Sequence, residues 1–154
     1  MQILPYMEQE ELYRQFHLDE PWDSPHDKSL IDKMPAEFRS PKSKAAKGLT
    51  NYVVPVGNGA LFSSMKDEPA FKDVKDGISR TIMTIEVDDP HAVIWTKPDD
   101  LPFDPTDPQK GIGNMFAEGF DAGMCDGSVR FIRKDVDPKV LKALITRAAD
   151  DPAQ

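Results

Sequence analysis

Between Gly119 and Ile132 the chain reads GFDAGMCDGSVRFI, with Asp126-Gly127 set between two short runs that alternate apolar and polar residues. Asp-Gly in such a setting is a strong short-range signal for a β-hairpin. A two-residue turn there predicts Met124 opposite Val129 and Ala122 opposite Phe131, with Phe120 next on the same face. The other face then carries Cys125 with Ser128, Gly123 with Arg130, and Asp121. One face is wholly apolar in this register, and a slip of one residue would turn it to solvent. Few other stretches of the chain constrain the fold so tightly.

The rest of the composition bounds what can be built around that hairpin. A length of 154 residues favours a single domain with a real core. Charged residues make up 30% and hydrophobic residues 39%, the profile of a globular domain. Fourteen prolines against nine glycines predict many fixed turns and ordered loops, with modest total helix. A formal charge of -8 argues against nucleic acid as a partner, because neutralising phosphates takes clustered Lys and Arg. The one local basic run, Arg39, Lys42, Lys44 and Lys47, lies in a loop-like stretch and reads as solvated. Cys125 is the only cysteine, which rules out an intrachain disulfide. No apolar run in the sequence reaches the length of a membrane span.

Along the chain, periodicity predicts a helix over Tyr6 to Phe16 and a second from about Asp27 to Met34, stopped by Pro35. Residues 36–48 read as an irregular connection. Asn51 to Val56 is a predicted strand, and Gly57-Asn58-Gly59 turns the chain into Ala60-Leu61-Phe62. Met65 to Lys75 reads as mobile or irregular. Thr81 to Val87, β-branched at nearly every position, is the best single strand, with Ala92 to Thr96 expected as its neighbour. Lys97 to Met115 is a long excursion rich in Pro and Asp, of a length that is often functional. Asp137-Pro138 opens a closing helix over residues 137–149, with Val140, Leu141, Leu144, Ile145 and Ala148 as its apolar stripe. The order predicts one α+β domain over residues 1–154. Its parts are a helical and loop segment (1–48) packed on an antiparallel β-sheet region (49–134), and the C-terminal helix.

Several segments together resemble a bacterial family of prepilin-like exported proteins, domain-of-unknown-function family 1559, sometimes labelled solute-binding proteins. The carrying residues are Leu4-Pro5-Tyr6-Met7-Glu8-Gln9, His17 through His26, Arg39-Ser40-Pro41, Asp76 through Ile82, Trp95 through Asp104, and the hairpin strand Asp126 through Phe131. The resemblance implies a pilin-like head of the type IV pilus or type II secretion pseudopilin kind. It also implies a leader and a long apolar N-terminal helix ahead of these residues. The chain opens on Met1-Gln2-Ile3-Leu4-Pro5 as if entering an element already under way. The family commonly carries a histidine ten residues before the turn aspartate; here that position is Phe116, which points to packing rather than catalysis. Asp27 and Asp121 stand where the family usually has asparagine.

Candidate sites are few. Asp99, Asp100, Asp104 and Asp107 supply carboxylates among prolines and form a candidate calcium loop, though not at EF-hand spacing. The alternative is that these aspartates cap turns through their own side chains. Trp22 and Trp95 are candidates for an aromatic ligand platform, or else buried anchors. His17 and His26 with Asp19 or Asp23 offer zinc-type ligands without close spacing, and packing beside Trp22 is the preferred reading. Cys125 has no basic neighbour to activate it and reads as a structural thiol. No cofactor-binding motif occurs.

The expected function is non-catalytic: the head of a pilin-like or pseudopilin-like cell-envelope protein, joined to its own or other pilin-like subunits. It would be held at the membrane through the implied N-terminal helix. The alternative is an extracytoplasmic module for a small solute or carbohydrate. An enzyme ranks behind both, since no acid–base pair of known spacing is present.

Overall fold

A computed structural model describes residues 1–64 and 68–148. Its architecture is α+β, with mixed short helices and mainly antiparallel sheet. Strand β4 (Ile82–Glu86) is the spine of a four-stranded sheet in the order β2-β4-β7-β8, where β2 is Tyr52–Val53, β7 Gly119–Met124 and β8 Val129–Arg133. All its pairings are antiparallel, and a bulge interrupts β4 between Ile82 and Thr84. Two small two-stranded ribbons flank it: β1 (Leu49–Thr50) with β5 (Val93–Ile94), and β3 (Pro55–Val56) with β6 (Leu101–Pro102) in parallel. The expected strand over Asn51 to Val56 is thus divided between two sheets, β2 in the four-stranded sheet and β3 in the ribbon with β6. Val93–Ile94 pairs with β1 and not, as expected, with the Thr81–Val87 strand.

The hairpin forms where the sequence places it, but its register differs by one residue. Gly127 N–H donates to Met124 O (3.0 Å), Met124 N–H donates to Ser128 O (2.8 Å), and Gly127 adopts φ +83°. This is a three-residue loop, a turn closed by a left-handed glycine, so Gly123 pairs with Val129, Ala122 with Arg130 and Phe120 with Ile132. Two forces fix it. Asp126 Oδ1 accepts from both Ser128 N–H (2.9 Å) and Ser128 Oγ–H (2.6 Å), an Asx-type turn. The N–H groups of Cys125 and Asp126 donate to Thr81 O and Ile78 O, tying the turn to the entry of β4. Cys125 is therefore a turn residue buried beside Leu61 and Val74, not a cross-strand partner of Ser128.

Packing follows from that register. Phe120, Ala122 and Met124 face the core with Val53, Ile82, Ile85 and Ile132, and helix α3 (Pro138–Ile145) closes it with Leu141 and Ile145. The Asp137 side chain accepts from Lys139 N–H, and Pro138 takes the first turn, as the sequence predicts. Val140 is 38% exposed and Ala148 is exposed, so the apolar stripe is narrower than expected. The helix ends at Ile145, short of the predicted end at residue 149, because Thr146 turns to an extended backbone; Ala149 lies outside the described residues.

The first 48 residues build a second, smaller core. The predicted Tyr6–Phe16 helix is instead a 3-10 turn over Leu4–Met7, a left-handed Glu8 (φ +60°), and a one-turn helix α1 (Glu10–Tyr13). Leu4, Leu12, Phe16 and Leu30 are buried together. The predicted Asp27–Met34 helix likewise divides into α2 (Pro25–Lys28), capped by Ser24, and a 3-10 turn over Ile31–Lys33. In the segment expected to be irregular, Phe71–Asp73 forms a 3-10 turn and Val74 is buried, while Met65 to Asp67 lie outside the described residues. Among the described residues, no helix is long and apolar enough to cross a membrane.

Candidate functional site

The acidic excursion folds as a series of turns, held by local hydrogen bonds and by one tie to the backbone beside β3. Asp99 pairs with Lys97 (2.7 Å), and Asp100 accepts from Val54 N–H (2.9 Å). Asp104 accepts from Thr106 N–H (2.9 Å) and Thr106 Oγ–H (2.6 Å), while the Asp107 carbonyl accepts from Lys110 N–H (3.1 Å). The Thr106 hydroxyl and amide hold the Asp104 carboxyl below its ordinary range, whereas burial pushes Asp100 above it. Among the described residues, no three His, Cys, Asp or Glu side chains gather as a metal would require. The four aspartates thus have separate partners: Asp104 caps its own turn, Asp99 pairs with a neighbouring lysine, and Asp100 ties the excursion to the backbone beside β3.

What the excursion does make is a cleft. His91, Leu101, Pro102, Phe103, Asp104, Pro105 and Lys110 enclose about 470 Å³. Its floor is set by β6, which pairs with β3, and by Gly111 at φ +76°. A Cβ at Gly111 would lie 2.9 Å from Leu101 Cδ1 and 3.2 Å from His91 Cδ2, so only glycine admits the ring this close.

The two tryptophans do not form a platform together. Trp95 packs edge-on to Phe16 (5.7 Å between centroids) and against Phe38 (5.6 Å), and its Nε1–H donates to Ile31 O at 2.9 Å. It is a half-buried anchor that joins the β5 region to the N-terminal core. Trp22 is half-buried and makes no ring contact with Trp95.

His17 and His26 stack with centroids 3.7 Å apart and planes 1° from parallel. In-plane lone pairs of rings stacked this way cannot converge on one ion, and one nitrogen of each ring has another partner: His17 Nδ1 with Glu20 (3.0 Å) and His26 Nε2 with Gln15 O (2.8 Å). Beneath them, buried Asp27 accepts from His17 N–H (3.0 Å), and its Oδ2 has no partner. Burial, and secondarily the charge of Asp126, push the Cys125 thiol up, away from nucleophilic character.

The basic loop is less solvated than expected. Arg39 donates to Ser43 O, Ala45 O and Ala46 O, and Lys42 Nζ sits 4.4 Å above the Phe116 ring. Phe116 in turn meets Phe131 edge-on at 6.5 Å. The one-residue register shift leaves Phe131 50% and Val129 70% exposed on the outer face of the sheet. Because β8 ends the sheet order, the backbone groups of Val129, Phe131 and Arg133 point away from β7.

His91 lies in the loop between the predicted strands Thr81–Val87 and Ala92–Thr96. It is the cleft residue with the most developed support, and its signal was the i, i+3 spacing of Asp88 and His91 around Pro90.

Residues 1–59 match the family model SBP_bac_10, described as a protein of unknown function (DUF1559). The match includes Leu4–Gln9, His17–His26 and Arg39–Pro41, so over this stretch the resemblance read from the sequence is borne out. No curated protein and no solved structure gives a significant match to the chain.

Proposed function

We propose that this chain is the non-catalytic head of a pilin-like cell-envelope protein, working through contacts with its own or other pilin-like subunits. The observation that carries the reading is the surface at the free β8 edge. Two large apolar side chains, Val129 and Phe131, stand exposed there with Phe116 and Lys42 at their border. A five-residue edge strand of that character is costly to leave open to chance pairing unless something covers it. Arg133 is paired with Asp135 (2.9 Å), so Arg130 is the strand's cation that favours an acidic partner, and a net charge of -8 makes another copy of this chain such a partner. The family match over residues 1–59 supports the same reading, since the resemblance implies an apolar N-terminal helix that would hold neighbouring heads side by side.

Site-specific photo-crosslinking in the native host tests it. A crosslinker at Phe131 captures a second copy or a pilin-like subunit, identified by mass spectrometry, whereas one at exposed Phe71 does not. Equal capture at both positions, or none at Phe131, contradicts the proposal.

A further inference from the structure

The cleft beside the excursion holds a pre-oriented histidine that the assembly reading leaves without a task. His91 Nδ1 lies 2.5 Å from Asp88 Oδ1. With Asp88 as the acceptor and Nδ1 as the donor in this contact, Nε2 remains as the acceptor nitrogen of the ring, on the side that packs against Gly111. The support runs deeper. Asp88 Oδ2 accepts from Asn114 Nδ2 (3.2 Å), and Asn114 Oδ1 accepts from Lys134 Nζ (3.1 Å). Asn114 pays for this with a left-handed backbone at φ +70°, a conformation uncommon outside glycine. Gly111 closes against the other edge of the ring. A relay of this depth fixes the direction of one imidazole whose side chain is 45% exposed.

The remaining lining supplies a complementary set. Lys110 makes no direct ion pair among the described residues. Asp104 has its Oδ1 engaged by Thr106, leaving Oδ2 as an acceptor. Leu101, Pro102, Phe103 and Pro105 give an apolar wall, and about 470 Å³ falls within the usual range for small-ligand clefts. The groups therefore ask for a molecule with a carbon face, hydroxyl donors and one negative charge.

We propose that this cleft binds an acidic monosaccharide of the uronate class. Its carboxylate meets Lys110, ring hydroxyls donate to His91 Nε2 and Asp104, and one C–H face lies on Phe103 and the prolines. Asp88 and Asn114 act as positioning residues for the imidazole. The site uses none of the residues of the β8 surface, so either proposal can fail without the other.

NMR titration of the folded protein with galacturonate and with galactose, which lacks the carboxylate, provides the test. Galacturonate produces saturable shifts at the amides of His91, Phe103, Lys110 and Gly111, and binds at least about tenfold more tightly than galactose. Lys110→Met, at an exposed position, removes that preference while leaving galactose binding in place. His91→Phe, which keeps a ring against Gly111 but has no Nε2, weakens both sugars. Absence of saturable shifts, equal affinity for the two sugars, or wild-type binding in both variants overturns the proposal.

Discussion

The two cores of this molecule are held together by different physics. The sheet region is joined by ladder hydrogen bonds and a continuous apolar interior from Val53 to Ile145. The first 48 residues contain no helix longer than one turn and are joined by single side chains reaching backbone: Trp95 to Ile31 O, His26 to Gln15 O, and Asp27 to His17 N–H. A ladder tolerates the loss of one contact because its neighbours remain. A region built on single tethers loses much of its order with each one. The cleft sits on the sheet side of this division, and Trp95 crosses it.

The largest expected effect comes from the sheet core. Leu141→Ala removes a fully buried side chain and lowers stability by about 3 kcal/mol, with probes in both regions melting together in chemical denaturation. Trp95→Ala is expected to cost about 2 kcal/mol and to act unevenly. Hydrogen exchange quickens across residues 1–48 while the amides of β7 and β8 keep their protection. Equal loosening of the sheet would show one cooperative unit and remove the contrast.

Asp89 is the polar link between the regions, accepting from Ser43 Oγ–H (2.7 Å), Lys44 N–H (2.8 Å) and Asn51 Nδ2 (3.2 Å). Asp89→Ala costs about 1–2 kcal/mol at neutral pH, the upper end discounted because the site is partly exposed to solvent. Its hydrogen bonds, led by Ser43, hold the carboxyl below the ordinary value of 3.8. The stabilisation is therefore present above that value and lost as pH falls through the lower folded value, so wild type and variant converge in acid. Asp100 has the opposite sign: burial raises it above 3.8, so ionising it opposes folding. Asp100→Asn gives a small rise in melting temperature at pH 7 that vanishes in acid, measured by thermal denaturation across pH.

Legibility divides along the same line. Strand β4, the caps of α3 and the location of the hairpin follow from local chemistry, and all three are readable in the sequence. The register is not, because Asp-Gly serves both a two-residue turn and a three-residue turn closed by left-handed glycine. The choice is made by Thr81 O and Ile78 O, more than forty residues up the chain from Asp126 and Cys125 in spatial role though not in any periodic pattern. Apolar Val129 and Phe131 looked like core for the same reason. In the N-terminal region the spacing of Leu12 and Phe16 shows burial correctly, yet left-handed Glu8 caps the first turn, its N–H donating to Leu4 O, and so ends the expected helix at a residue type that seldom marks such a cap. The His91 relay was hidden because Asn114 and Lys134 lie far from Asp88 in sequence.

The smallest expected effect on stability is also the most informative for function. Phe131→Asp changes an exposed side chain and is expected to shift stability by less than about 0.5 kcal/mol. The decisive measurement is the assembly state of the protein carrying this substitution in its native host, read alongside the melting temperature of the purified chain. An unchanged melting temperature with loss of subunit association is expected; a variant that assembles like wild type contradicts a role for the β8 surface in assembly.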